Sequence, residues 1–270
     1  MLVVFLVFSQ CDSTEDEPYS NISIIVDNAK AAMYFHTVFR EAERAWYVVD
    51  SMDYKSFVDT VAAGTAIFKI YTYDDEANTV TVSYNAWVTD NGLALMGTLR
   101  VGFEKFSYRV NGRIASVSLT NFSINNQDIR GVDARITNRN EEDENHNDLY
   151  DFTIPAGAAI HEVGIHMPVI ISASITNGRY ERAEDGAWIY WGGTMSGMIR
   201  GDVNLSYSNT IISTSTNLAG ETVDTRLRYS ADCIIAQWGV SKIVVSGRPD
   251  IFFEYRCSQI YYESEPVLVF

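Results

Sequence analysis

Residues 27–50, DNAKAAMYFHTVFREAERAWYVVD, are the one stretch of this chain that carries a helical repeat, and everything after it reads as strands and turns. Phe35, Val38, Phe39, Ala42, Ala45, Trp46 and Val49 recur at three-and-four spacing along one face, while Lys30, Thr37, Glu41 and Arg44 fall on the other. Asp27 is placed to cap the first free amides. Each large side chain of that stripe gains about 1.5 to 3 kcal/mol on burial, so a sheet must close over it. The expected fold is therefore mainly β: an antiparallel β-sandwich or a strongly curved sheet packed on one N-terminal helix at about 27–49.

The strand pattern supports curvature. Residues 65–73 and 79–88 read as strands joined by a polar turn at 74–78. In the second, Val80, Val82, Tyr84, Ala86 and Val88 alternate onto one face, as in a sheet with one wet side. In 93–110 the apolar phase switches from Leu99, Val101 and Phe103 to Phe106, Tyr108 and Val110, which predicts a bulge near Glu104 and Lys105. The same switch, from Val117 and Leu119 to Phe122 and Ile124, recurs in 114–124. Further strands are expected to about 137, at 149–154, 160–167, 169–176, 187–191, 195–207, 210–216, 227–237, 240–246 and 251–257. Turns are expected at Asn111-Gly112, Asn177-Gly178 and 247–250, and a paired strand at 267–270.

The chain has 270 residues and a formal charge of −15, with no linker-like composition to divide it. That charge excludes a nucleic-acid partner, which would need clustered Lys and Arg. The first eight residues, MLVVFLVF, are too few to span a bilayer and match a signal-peptide core. They lead to Ser9-Gln10-Cys11 and then to the acidic run DSTEDE. This arrangement resembles the lipidated cysteine and acidic segment of surface-exported Bacteroidota lipoproteins. No basic residue precedes the run, and Gln10 is bulkier than that pattern favours. The resemblance implies a signal-peptide remnant at 1–10, lipidation of Cys11, a lipidated acidic tether at 11–20 and one helix-plus-β domain at 21–270. The implied location is the cell envelope, as an outer-membrane lipoprotein facing the periplasm or the surface, held to the membrane by its lipid anchor.

The helix, the blocks LTNFSINNQDIRGVDARITN (119–138) and GTMSGMIRGDVNLSYSNTI (193–211), and the segment from Cys233 to Cys257 resemble successive blocks of a family of uncharacterised Bacteroidota lipoproteins. The ending EYRCS lacks that family's glycines and aspartate. The resemblance implies location and fold, and no site residues.

No catalytic constellation is present, so the reading leans away from an enzyme, and no catalytic, cofactor or metal residue is assigned. His161 and His166 in HEVGIH are five apart, a spacing that neither a helix nor a strand brings to one face. The loop DENHND (143–148) has calcium-like oxygen spacing but lacks the glycine and the glutamate of such a loop. GTMSG (193–197) lacks nucleophile-elbow spacing and reads as a turn or bulge. Trp188 and Tyr190 share one strand face and form a candidate platform for stacking a sugar ring, against the alternative that they pack in the core. The functional expectation is a non-enzymatic binding or structural module, with a glycan or a protein as partner. The alternative is a glycan-active enzyme with two carboxylates, which no sequence spacing would reveal.

Cys233 and Cys257 form an even pair in an exported chain, where oxidation is favoured. The expected register opposes pairing. With a hairpin at 247–250, Cys257 would face about Val240, leaving Cys233 about 23 Å away along an extended strand. Folding back at Trp238-Gly239 would still leave about 9.5 Å, beyond the limit of about 7 Å for a disulfide. Two buried free thiols are expected unless the chain bends sharply there.

Overall fold

The helix starts earlier than its apolar repeat. The computed structural model describes residues 19–51, 56–60, 66–103, 111–139, 148–162, 168–216 and 219–269, and α1 runs over Asn21–Ser51. Ser20 is the cap: its side-chain oxygen accepts the Ser23 amide at 3.2 Å and its carbonyl accepts the Ile24 amide at 3.1 Å. Asp27 does not cap. It lies buried inside the helix, where it accepts a hydrogen bond from the Tyr19 hydroxyl and pairs with Arg200 at 3.6 Å. The leading residues NISIIV are rich in β-branched side chains and argue weakly for helix by themselves, but burial of Ile24 and Ile25 overrides that preference.

The middle of the helix is enclosed. Every residue of 33–39 is buried, as are Glu41, Ala42, Glu43, Ala45 and Trp46. A helix enclosed in this way needs walls on every face, and one continuous sheet supplies them. Its strands begin with β1 (Ser56–Thr60), β2 (Phe68–Asp74), β3 (Thr79–Val88), β4 (Ala94–Phe103) and β5 (Ile114–Ile124), a simple antiparallel meander. Next come β6 (Gln127–Arg130) and β7 (Asp133–Asn138), which share the edge of β5 and both pair with β8 (Leu149–His161). After β9 (Val169–Arg182), the pair β10 (Trp188–Trp191) and β11 (Thr194–Ile199) divides the far edge of β9 in the same manner.

The sheet continues through β12 (Asp202–Ile212), passes a separate hairpin of β13 (Thr214–Thr216) and β14 (Thr222–Asp224), and resumes at β15 (Leu227–Tyr229). Both β12 and β15 pair with β16 (Trp238–Val245), and β17 (Ile251–Arg256), β18 (Gln259–Tyr262) and β19 (Glu265–Val269) complete it. Seventeen strands join in this sheet, which realises the curved-sheet form of the expected fold. No helix among the described residues is long and apolar enough to cross a membrane.

Bulges curve the sheet, and they account for the shifts of apolar phase. Opposite the switch in β5, Asn121 adopts φ 48° and Gly97 of β4 adopts φ 94°, with the register slipping between Met96 and Thr98. A Cβ at Gly97 would sit 2.1 Å from the Asn121 carbonyl oxygen, so only glycine fits there. The bulge predicted at Glu104 and Lys105 lies outside the described residues. In β3 the expected alternation fails after Tyr84: Ala86 takes φ 49°, the register shifts, and Val88 turns outward with 53 % of its surface exposed while Trp87 turns inward. Asn177-Gly178 is not a turn. Asn177, at φ 52°, is accommodated within β9, which runs on to Arg182. The expected strand at 195–207 is instead two, reversed at Arg200 (φ 50°) and Gly201.

The cysteines correct the sequence reading most directly. Cys233 and Cys257 form a disulfide with Cα atoms 5.0 Å apart. The strand expected over 227–237 stops at Tyr229, and the following segment folds back, closed by the Gln237 amide on the Arg228 carbonyl at 2.6 Å. The β16/β17 register also differs, with Arg256 opposite Trp238, and the Cys257 amide donates to the Gln237 carbonyl at 2.8 Å. Cys233 is buried at the bend and Cys257 is exposed, so the expectation of two buried thiols fails on both counts. Alkylation of the denatured protein should therefore leave both cysteines unmodified until reductant is added. The Cys233→Ala/Cys257→Ala double variant should lose about 3 kcal/mol of stability in urea melts. Free thiols in the unreduced protein would disprove the bond.

Candidate functional site

The polar stripe of α1 faces a partly open cavity. Thr37, Arg40, Glu41, Arg44 and Tyr47 follow helical spacing along one side of α1, and with Glu43 they form one wall of a polar cavity of about 610 Å³. The opposing walls come from three places that the sheet brings together: Trp87 to Asn91 at the β3–β4 turn, Arg182 to Trp188 around the β9–β10 turn, and Tyr229 to Ala231 just after β15. The size falls within the range of small-molecule sites.

Glu41 is locked. Its carboxylate accepts from Lys69 at 2.5 Å and from the Tyr84 hydroxyl at 2.7 Å, and Lys69, only 1 % exposed, lies within 5.2 to 5.9 Å of the rings of Tyr71, Tyr84 and Trp87. Burial, followed by the negative charge of Glu41, holds the Tyr84 hydroxyl well above its ordinary value, so it stays a donor. Because both charges are out of water, removing one strands the other. Lys69→Met should lose about 3 to 5 kcal/mol in equilibrium unfolding. The Lys69→Met/Glu41→Leu double variant should recover most of that loss; equal losses in both would show that the pair is not coupled.

Glu43 is different. It is buried, yet among the described residues it makes no hydrogen bond or ion pair. Burial pushes its carboxyl up to about 7, with Asp148 adding to the shift and Arg182, Arg40 and Arg44 opposing it. Arg182 itself pairs with the buried Asp148 at 3.6 Å and lies over the Trp188 ring at 5.5 Å. Arg40 likewise makes no hydrogen bond or ion pair among the described residues, and the Ser230 hydroxyl is buried without a partner. Three polar groups around the cavity, two on α1 and one on the opposing wall, thus lack hydrogen-bond or ion-pair partners among the described residues, which is unusual for a protein interior.

Trp188 and Tyr190 both face inward on β10, 6 % and 8 % exposed. Trp188 meets Phe39 edge-on at 5.1 Å, while Phe39 stacks on Tyr180 at 3.8 Å. One part of Trp188 still borders the cavity. Tyr190 does not; it packs on Tyr180 at 4.7 Å, and its hydroxyl occupies the place a Cβ at Gly193 would take. That explains the glycine opening GTMSG, whose serine sits within β11 opposite Ser174 and Ser208 and is not in a turn. An open stacking platform at Trp188 and Tyr190 is therefore absent from this face of β10.

Cys11, His166 and the loop over 140–147 lie outside the described residues. His161 ends β8, and Asp148 is the buried partner of Arg182. Among the described residues, no group of three or more His, Cys, Asp or Glu is placed to hold a metal ion. Comparison of the chain with family models, with curated proteins and with solved structures finds no match.

The titration of Glu43 has a definite sign. Its folded value lies above the ordinary 4.5, so the associated stability is fully present below about pH 4.5 and is lost as pH rises through about 7. Buried Asp27, raised from 3.8 to about 6 mainly by burial, acts in the same direction. Glu43→Gln removes only its own share. Relative to the parent, the variant should gain about 3 kcal/mol of stability between about pH 4 and about pH 8. Parallel pH profiles would show that Glu43 ionises freely in the folded protein.

Proposed function

We propose that this chain is an envelope-anchored lipoprotein of the Bacteroidota type, held at the outer membrane by a lipid on Cys11, with a body that serves as a non-enzymatic binding module for a glycan or a protein. The observation that carries the binding role is the polar cavity, in which Arg40, Glu43 and the Ser230 hydroxyl have no hydrogen-bond or ion-pair partner among the described residues. Polar groups buried without partners are destabilising, and a ligand that satisfies them gives them a purpose. Export is supported by the apolar run before Cys11, by the acidic segment after it, and by the Cys233–Cys257 bond, which suits an oxidising compartment.

A second reading, a glycan-active enzyme with two carboxylates, draws on Glu43, whose raised value suits a general acid. Glu41 cannot be its partner while held by Lys69 and Tyr84, which leaves the exposed Asp90 at the cavity wall. Release of reducing ends from a glycan pool, abolished by Glu43→Gln, would favour this reading over the first.

Anchoring is tested by labelling cells with an alkyne fatty acid. The parent chain should take up label and fractionate with the outer membrane, whereas Cys11→Ser should do neither. Binding is tested on a glycan array and by pull-down with envelope extracts. An unlabelled parent would refute the anchor, and silence on both screens would refute the binding module.

A further inference from the structure

We propose that the cavity holds a small hydroxylated carboxylate of the uronic-acid class, with its carboxylate on the Arg40 guanidinium and the Glu43 carboxyl and its ring against Trp87 and Tyr47. This rests on the reading of the chain as a binding module. Charge accounting selects the ligand. Although the chain carries −15 overall, its described cavity walls gather the guanidiniums of Arg40, Arg44 and Arg182. Asp148 offsets Arg182, Lys69 offsets Glu41, and Asp90 and Glu43 are the remaining carboxyl groups of the lining. Arg40 has no hydrogen bond or ion pair among the described residues, and its planar fork is shaped for a carboxylate in bidentate contact.

The buried Glu43 supplies the second contact. In its protonated form it donates a hydrogen bond to the ligand carboxylate, whereas in its ionised form it repels that group. The charges facing it are Arg40 and Arg44 from α1, Arg182 from the end of β9 and Asp148 from the start of β8; Asp90 lies farther round the wall, at the β3–β4 turn. Binding of the anion is accordingly coupled to uptake of a proton on Glu43, and affinity falls as pH rises.

The remaining wall fits a sugar. Trp87 is half-buried and Tyr47 is 44 % exposed, and both line the cavity, where aromatic side chains favour the C–H face of a pyranose. The unpartnered Ser230 hydroxyl and the exposed Asp90 are available to ligand hydroxyls. Inorganic phosphate or a bare organic acid would meet Arg40 but leave these groups and the aromatic lining unused.

The test is calorimetric titration of the full chain in detergent with glucuronate, galacturonate, glucose and inorganic phosphate. At least one uronate should saturate with millimolar or tighter affinity, and glucose and phosphate should bind about tenfold more weakly or not at all. Arg40→Gln should lose about tenfold or more in uronate affinity. Glu43→Gln should keep the affinity seen near pH 6 and abolish its decline toward pH 8, an outcome that a purely structural Glu43 would not give. Neither uronate saturating by about 10 mM, phosphate matching the uronates, or Arg40→Gln leaving binding intact would each overturn the proposal. Array binding that survives Arg40→Gln unchanged would overturn the site while leaving the binding module standing; silence of the parent on every screen would remove the module itself.

Discussion

The enclosure of one helix by one sheet is the constraint from which the rest follows. A helix whose residues 33–39 are all buried cannot be served by a flat sheet, since a flat sheet covers one face only. The strands must curl, and they do so at bulges marked by positive φ at Ala86, Asn121 and Asn177. The curl brings strands far apart in sequence onto the same helix: Phe39 touches Phe152 of β8, Tyr180 of β9 and Trp188 of β10, while His36 stacks on Tyr229 of β15 at 3.6 Å.

Enclosure also forces polar side chains inward. Glu41, Glu43, Asp27 and Lys69 are all buried, and they find three different solutions. Lys69 and Glu41 neutralise one another, with Tyr84 as a further donor. Asp27 relies on Tyr19 and Arg200, and this contact fixes the entry of the helix, where Arg200 also lies 5.0 Å over the Tyr19 ring. Glu43 has no hydrogen-bond or ion-pair partner among the described residues, and burial pushes its carboxyl up to about 7. The first two solutions fix the helix in place; the third lies beside a cavity that a ligand can enter.

The cavity is itself a product of curvature. The bulge at Ala86 turns Trp87 inward, and the bend after Tyr229 brings Ser230 to the same space. The fold-back that closes this bend at Gln237 also carries Cys233 to Cys257. The disulfide therefore fastens the bend that shapes one wall, so a bond suited to an oxidising compartment supports the geometry of the cavity.

The sequence by itself determined the helix, the mainly β body, most strand positions and the need for bulges, because apolar periodicity reports directly on which side chains leave water. It also showed the polar stripe of Thr37, Glu41 and Arg44, which proved to be one wall of the site. Period alone does not say whether a polar face meets open solvent or lines a cavity, because both environments favour the same residue types. Only the tertiary structure decided that Glu43 and Arg40 lack hydrogen-bond and ion-pair partners among the described residues, that Lys69 reaches Glu41 and that Trp188 packs against Phe39. It alone set the β16/β17 register and the fold-back after Tyr229 that join the cysteines. Those are contacts between residues remote in the chain, fixed by the curvature of the whole sheet around the helix, and no local pattern encodes that curvature.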